Sequence, residues 1–336
     1  MSAVAARKAD IIGVLCALAG GVLWGFSGSC AQLVLSHNAV SALWVVSVRI
    51  IIAACLLMIL ALALRGRAVL EPLCDVRSVL RIAAYAFMGI AFTQFTYLMT
   101  IGYSNAGTAT MLEYIGPVLV VLVVCVRDRR RPMRRELIAV ACVVAGVFFL
   151  ATHGDPTQLV LTRQALTWGL LSAISMVFYS MLPEPLLARY DSMSVLAWGF
   201  ALAAAVLAVS QHPWTVSVAL DAASWIALVG GLSVLGTAVA FIVYLQGLKR
   251  IGPSRTSMLS SMEVLTATCL SVVWLGSPFT RMDFIGLLCI MATVFLLAKP
   301  QSGAEKRPVA PALKGAHAGR AHATGSMAPI TVTSRR

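Results

Sequence analysis

A stretch of 18 residues at positions 134–151, RRELIAVACVVAGVFFLA, recurs at positions 281–298 as RMDFIGLLCIMATVFLLA. Eight of these positions are identical when the chain is shifted by 147 residues. The same shift aligns positions 97–117 with positions 244–264, where four of 21 residues match. Twelve identities in 39 positions exceed the roughly one in ten expected by chance. The pattern therefore indicates an internal duplication.

The composition is that of a membrane protein. The chain has 336 residues, of which 60% are hydrophobic and 12% charged, with a mean hydropathy of +0.89. A soluble domain has about a quarter of its residues charged, so this class is excluded. The net charge of +13 lies in short connections between apolar runs, which indicates membrane topology rather than a nucleic-acid partner. At about 20 residues per crossing, the apolar content allows roughly ten helices.

Apolar windows of about 20 residues predict ten membrane spans in this sequence. Two short connections, residues 102–105 and 248–253, contain Gly or Pro and predict tight helical hairpins. The predicted spans are 11–33, 40–64, 79–101, 106–126, 135–153, 165–187, 192–211, 223–247, 254–275 and 282–299.

The basic residues predict the orientation of these spans. With the N-terminus inside, 23 of the 26 Lys and Arg residues fall in cytoplasmic segments. Only Arg163 and Arg281 would lie outside, and Arg49 lies within the second span. The positive-inside rule therefore places both termini in the cytoplasm.

Five spans per repeat is an odd number, so the second copy must enter the membrane from the opposite face. The predicted fold is an all-α polytopic membrane protein with ten transmembrane helices arranged as two inverted five-helix repeats, residues 1–153 and 154–299. Residues 300–336 are basic and lack apolar periodicity, which predicts a disordered cytoplasmic tail, either inert or weakly attracted to anionic lipid. Inverted repeats are typical of secondary transporters, whose substrate sites lie near the membrane midplane.

Four short motifs resemble the EamA-type family of the drug/metabolite transporter superfamily. They are LWG (residues 23–25), SVRIIIA (residues 47–53), LEYIGPVLV (residues 112–120) and MEVLTA (residues 262–267). The resemblance covers residues 11–299. It implies a ten-helix exporter of amino acids or other small metabolites in the bacterial plasma (inner) membrane. It also implies a central cavity lined by spans 1, 3, 4, 6, 8 and 9.

Three ionisable residues, Arg49, Glu113 and Glu263, lie deep in predicted spans. A charge there costs about 2.5 to 3.5 kcal/mol and needs a partner, a wet cavity or a proton. Either carboxyl could bind a substrate amine or hold a coupling proton. The alternative is a structural carboxyl bonded to a neighbouring helix or to Arg49. Arg49 itself could bind a substrate carboxylate. The alternative is a structural ion pair or carbonyl clamp, which is favoured because the family's second span is not usually a cavity helix.

Polar and aromatic side chains on the implied cavity helices complete the candidate substrate site. Flat rings with polar tips suit small amphipathic substrates. Tyr97 and Tyr244 are favoured because the 147-residue shift pairs them, whereas an aromatic in a span is more often packing. The full set of predicted substrate contacts is Trp24, Gln94, Tyr97, Glu113, Tyr114, Tyr179, Tyr244 and Glu263, with Arg49 as the structural or carboxylate contact.

No enzymatic site is predicted. Residues 25–28, GFSG, match the GxSG of intramembrane serine proteases, but that chemistry needs a His base in a neighbouring span, and the five His all fall in connections, at span ends or in the tail. No HExxH, P-loop or metal-ligand cluster is present, so we expect no cofactor, metal or catalytic residue. The expected partners are a small-molecule substrate, the lipid bilayer and a coupling proton. The rival functions are an uncoupled facilitator, a drug exporter of the same fold and a non-transporting receptor subunit.

Overall fold

The computed structural model describes the backbone of residues 3–298 and the side chains of residues 11–252 and 255–297. Every regular element in that part of the chain is helical. The tail at residues 300–336 lies outside the described residues, so its disorder and its lipid contact stay predictions.

Ten helical segments, α1–α10, follow one another along the described chain. The first five are α1 (Ala3–His37), α2 (Ala42–Arg65), α3 (Val76–Tyr103), α4 (Ala106–Arg127) and α5 (Arg134–Thr152). The next five are α6 (Arg163–Leu187), α7 (Ser192–Gln211), α8 (Ala222–Ile251), α9 (Pro253–Ser260 continued by Met262–Val273) and α10 (Arg281–Ala298). A 3₁₀ segment, Gly66–Cys74, follows α2.

The helices agree with the predicted spans to within about four residues, except that α1 begins at Ala3. Within the described residues, α1–α9 are the nine helices long and apolar enough to cross a membrane. That α10 also crosses, which would give ten spans, stays a prediction. The predicted connection at residues 248–253 is wrong in length, because α8 continues to Ile251. Only Gly252 separates it from α9, at a φ of +79° that glycine adopts without strain.

Helices α4 and α9 are both interrupted. In α4 the break follows Glu113, whose carbonyl cannot accept the usual bond from Pro117, since proline has no N–H. In α9 the break is at Ser261. Here the hydroxyls of Ser260 and Ser261 each donate to the backbone carbonyl three residues earlier, at 3.0 and 2.6 Å. Such side-chain bonds compete with the helical ladder and bend it.

Helices α3 and α8 contain wider π-helical stretches, Tyr85–Ala91 and Ile226–Val239. In α8 the hydroxyls of Ser233 and Thr237 donate to carbonyls five residues earlier, at 2.7 and 3.1 Å. The two hydroxyls thus supply hydrogen bonds to the backbone carbonyls of Leu228 and Leu232, which lie in the wider turns. π-helical turns are rare and are often found at functional sites.

Both of these helices begin at an aspartate cap. Asp75 accepts a hydrogen bond from the hydroxyl of Ser78, and Asp221 accepts one from the amide of Ser224. Hydrogen bonds from these two serines hold the pKa of each carboxyl below its usual value. The caps satisfy amides at helix N-termini, which have no partner within the helix.

Helix α1 packs against α9 through glycines. A Cβ on Gly21 would lie 2.4 Å from the backbone oxygen of Ser260, and one on Gly25 would lie 2.6 Å from that of Glu263. The two glycines are four residues apart, a GxxxG spacing that is typical of close helix packing in membranes. The contact places Glu263 beside the middle of α1.

We predict that Gly21→Val lowers the thermal unfolding temperature in detergent by several degrees. The added side chain meets backbone atoms of α9, which cannot move aside without shifting the helix, and overpacking of this kind typically costs about 1–3 kcal/mol. Gly102→Ala is the matched control, since a Cβ there meets nothing within 4 Å. Equal unfolding temperatures for the two variants would contradict the packing argument.

Candidate functional site

A cavity of about 530 Å³ lies between the helices beside the breaks in α4 and α9. Its lining includes all nine residues that the sequence analysis proposed: Trp24, Arg49, Gln94, Tyr97, Glu113, Tyr114, Tyr179, Tyr244 and Glu263. The structure therefore brings the predicted set together. That these residues bind a substrate stays a prediction.

The cavity also uses two helices that the sequence analysis did not assign to it. Arg49 reaches it from α2, and Val294 and Leu297 reach it from α10. The family resemblance implied a cavity lined by spans 1, 3, 4, 6, 8 and 9, and the lining in this structure adds residues from α2 and α10. A long arginine side chain can cross from a helix behind the first layer because its charged head lies far from its backbone.

The two carboxylates are held by different neighbours. The hydroxyl of Ser172 on α6 donates to Oε1 of Glu113 at 3.4 Å, and the hydroxyl of Tyr114 on α4 donates to Oε2 of Glu263 at 3.2 Å. Each carboxylate stands at a helix break, Glu113 just before the one in α4 and Glu263 just after the one in α9. Neutral donors hold both groups, so each keeps acceptor capacity for a cation or a proton.

Arg49 is bound by hydroxyls rather than by the carboxylates. Its Nε donates to Oγ1 of Thr237 on α8 at 3.1 Å, and its Nη2 lies 3.4 Å from Oγ of Ser27 on α1. Among the described residues, no ion pair joins it to Glu113 or Glu263, although both lie within electrostatic reach. The structural ion pair considered for Arg49 is therefore not formed in this structure.

Aromatic rings form much of the cavity wall. Trp24 lies 5.0 Å from Tyr244 and 5.3 Å from Phe241, measured between ring centroids. Tyr97, which the 147-residue shift pairs with Tyr244, is buried, and its hydroxyl forms a hydrogen bond with Oγ1 of Thr110 at 2.8 Å. The cavity therefore combines flat apolar surfaces with a few fixed polar groups, which is the usual character of a small-molecule site.

Sequence reasoning missed several lining residues. They are Ser27, Ile90, Thr93, Pro117, Met176, Phe241, Ser257, Ser260, Val294 and Leu297. Helical periodicity could have found some of them, because Ser27 lies three residues after Trp24, and Ser260 three before Glu263. No comparable pattern in the sequence predicted that α10 lines the cavity, because its two lining residues, Val294 and Leu297, are ordinary apolar residues.

Toward one end of the bundle, hydrogen bonds through a single side chain join three of the helices. That end, called the His153 end, carries His153 and the C-terminus of α1. There the buried side chain of Gln32 accepts hydrogen bonds from the amide of Ala106 and the hydroxyl of Ser271, and donates to Ser277, all at 2.8 Å. We call these four residues the Gln32 cluster. It joins α1, α4 and α9.

Toward the opposite end the lining continues. Ser257 and Ser260 lie near the start of α9, and Leu297 lies next to the last residue of α10. This end, called the Arg131 end, carries the basic connection between α4 and α5. Ion pairs join the helices there, including Arg65 with Asp191 and Arg127 with Glu184. The hydrogen bonds of the Gln32 cluster therefore join helices at the His153 end, and these two ion pairs join helices at the Arg131 end.

The EamA-like transporter family matches residues 11–152 and, separately, residues 163–299. The chain belongs to the EamA-like transporter family. It is therefore a polytopic membrane protein of a transporter family, and the family resemblance seen in its motifs is confirmed. The two separate matches cover nearly all of the two proposed repeats.

Individual relatives are consistent with this assignment. The uncharacterized inner membrane transporter YicL of Salmonella typhimurium is 33% identical over 290 residues, which are 85% of this chain and 95% of the relative. The uncharacterized transporter YetK of Bacillus subtilis is 22% identical, over 71% of this chain and 74% of the relative. A crystal structure with 20% identity matches at a TM-score of 0.57, over 86% of this chain and 96% of the other, which shows the fold alone.

We predict that Gln32→Leu opens the His153 end. The change removes the partner of one backbone amide and two hydroxyls, and a buried unsatisfied polar group costs about 1–3 kcal/mol. The measurement is the rate at which an impermeant maleimide, added from that side of vesicles of known sidedness, labels Thr93→Cys in a cysteine-free background. The rate should rise about tenfold or more.

Ser36→Ala is the control for this experiment, since Ser36 lies on the same end of α1 but is exposed and bonds its own helix and the adjacent His37. Labelling that is as slow in Gln32→Leu as in Ser36→Ala would show that the Gln32 cluster does not hold this end closed.

Proposed function

We propose that the protein is a secondary transporter that exports amino acids or related small metabolites by alternating access around the cavity. The observation that carries the proposal is the pair of interrupted helices, α4 and α9, with Glu113 and Glu263 at the two breaks. Discontinuous helices beside a midplane cavity commonly form the substrate and ion sites of secondary transporters.

The two breaks also support the inverted repeat. The break in α4 includes Tyr114 and the one in α9 is at Ser261, which are 147 residues apart, the same shift that aligns the sequence. The π-helical stretch Tyr85–Ala91, shifted by 147, falls within Ile226–Val239. The local distortions of the first five helices therefore recur in the second five.

The pairing of α5 with α10 supports the same symmetry. Oγ1 of Thr293 donates to the carbonyl of Ala139, and a Cβ on Gly146 would lie 3.2 Å from the carbonyl of Gly286. The 147-residue shift exchanges these two contacts, since 139 maps to 286 and 293 maps to 146. The two helices run antiparallel, as equivalent helices would across a two-fold axis lying in the membrane plane.

The proposed location is the inner membrane, with both termini in the cytoplasm. The name of YicL supports the inner membrane, and the positive-inside distribution supports the orientation. The Arg131 end, with Arg127, Arg129, Arg130, Arg131, Arg134 and Arg135 on one short segment, is then cytoplasmic. In this orientation the Gln32 cluster lies toward the outside and the cavity lining continues toward the cytoplasm, which supports an exporter that takes up its substrate from the cytoplasm.

The proposed orientation predicts which connections a membrane-impermeant maleimide reaches in whole cells. In a cysteine-free background, Thr157→Cys should be labelled and Arg131→Cys should not, although both side chains are exposed. Permeabilised cells are the control, because both positions should then react. Labelling of Arg131→Cys in intact cells would overturn the orientation.

We propose the proton as the coupling ion. One carboxylate that exchanges a proton for a cationic substrate group would link outward substrate movement to inward proton movement. Glu113 and Glu263 are the candidates because they line the cavity and have only neutral hydrogen-bond partners. A carrier of this kind concentrates its substrate under a pH gradient, whereas a facilitator only equilibrates it.

The corresponding test uses proteoliposomes loaded with a mixed panel of amino acids and small metabolites. An acidic exterior should accelerate efflux of a selective subset. Glu263→Gln should abolish this acceleration and slow efflux about tenfold or more, since a hydrogen bond to a charged group contributes about 1.5–3 kcal/mol. Glu113→Gln should also abolish the acceleration and slow efflux if Glu113 is the carboxylate that holds the proton. Glu71→Gln is the control, because Glu71 is exposed and lies outside the cavity.

The rivals have distinct outcomes in this assay. Selective efflux that ignores the gradient identifies a facilitator, and efflux of hydrophobic drugs instead of metabolites identifies a drug exporter. No flux of any compound, with normal folding, would remove the transport proposal and favour a receptor subunit.

A further inference from the structure

Arg49 is the most buried charged group of the cavity whose hydrogen bonds are incomplete. Only 5% of the residue is exposed, yet Nη1 has no hydrogen-bond partner among the described residues. A guanidinium stays protonated and has five N–H donors, of which two are used by neutral hydroxyls. Hydroxyl groups solvate the charge without neutralising it. The position therefore keeps a positive charge inside an apolar bundle, which is costly unless an anion is bound.

The surroundings keep this charge away from the nearby carboxylates. Glu113 is bonded by Ser172 and Glu263 by Tyr114, while Arg49 is bonded from α8 and α1. An intramembrane arginine ordinarily pairs with an available acid or marks a substrate path. Here two acids line the same cavity, and the pair is not formed, so the second interpretation is favoured.

The hydroxyls that hold Arg49 are themselves positioned by the backbone. Oγ1 of Thr237 donates to the carbonyl of Leu232, which leaves its lone pairs free to accept from Nε of Arg49. Ser27 approaches because its neighbour on α8 is Gly236, where a Cβ would lie 2.0 Å from Cβ of Ser27. The π-helical stretch of α8 thus supplies both features, and the guanidinium is fixed from behind with one nitrogen unused.

From this arrangement we infer that Arg49 forms an anion subsite of the cavity that binds the carboxylate of a zwitterionic substrate. The inference rests on the proposed transport function and names the recognised group within it. A guanidinium matches a carboxylate in shape and binds it through parallel N–H···O bonds. Glu113 or Glu263, which line the same cavity, takes the substrate ammonium. A phosphate dianion fits less well, because it would add two negative charges to a cavity that already holds two carboxylates.

The inference is tested first by binding, which does not depend on flux. The purified protein is titrated with the standard amino acids, and for those that raise its unfolding temperature, with the corresponding amides and decarboxylated amines. The carboxylate forms should bind at least about tenfold more tightly than their amides, because a charged hydrogen-bonded pair is lost in the amide. In Arg49→Gln this preference should disappear, while the amine binds as well as before or better. Arg49→Lys, which keeps the charge but not the fork, should retain part of the preference.

Controls separate specificity from folding. Arg163→Gln, an exposed arginine at the start of α6, should keep the full preference. If Arg49→Gln does not fold, the preference for carboxylate over amide is measured in Arg49→Lys instead, provided that its unfolding temperature is normal. Equal affinity for carboxylate and amide in the wild type, an unchanged preference in folded Arg49 variants, or no binding by any carboxylate would overturn the inference.

The same compounds in proteoliposomes distinguish this inference from the proposed function. Carboxylate-selective binding without flux would leave the subsite standing and remove the transport proposal. Flux that is equally fast for amino acids and their amides would leave transport standing and remove the subsite.

Discussion

The structure depends on one constraint, that a polar group inside a lipid bilayer must find its partner within the protein. Regular helices meet it by their own hydrogen bonds. Where α4 and α9 break, the displaced groups are not exposed to lipid, because both breaks adjoin the cavity. Close glycine contacts such as Gly21 against Ser260 exclude lipid from α1 and α9. The irregular backbone is thus confined to the place where a polar substrate or water can complete it.

The same constraint makes the two ends of the cavity unequal. At the His153 end the amide of Ala106 is bonded by Gln32. The residue 147 positions after Ala106 is Pro253, which has no N–H and so cannot take part in an equivalent bond at the Arg131 end. The two proposed repeats therefore differ in the hydrogen bonds available at the two ends of the cavity. Such a difference biases a two-state carrier toward one state without any ligand, since the populations follow the difference in free energy.

Much of the helix layout follows from the sequence because spans are long apolar runs and the cost of a buried charge marks Arg49, Glu113 and Glu263. What could not be predicted depends on side chains that look ordinary. Thr237 and Ser27 hold Arg49, but a hydroxyl within a span has many possible partners, most of them its own backbone. The π-helical stretch of α8 was not predicted, because its sequence is an ordinary apolar run with small residues. Gln32 was not singled out because its three partners come from segments at least 74 residues away.

The balance of charge in the cavity connects recognition with coupling. With one arginine and two carboxylates, the lining carries a net charge of −1 when all three are ionised and zero when one carboxylate is protonated. A zwitterion whose carboxylate lies on Arg49 and whose ammonium lies on a carboxylate adds no net charge to either state. A proton and the ammonium then compete for the same acceptor, so binding of one favours release of the other. In the proposed mechanism, exchange of a proton for the ammonium at that acceptor links proton movement to substrate movement. The proposed selectivity for zwitterions and the proposed proton coupling therefore depend on the same three deep charges.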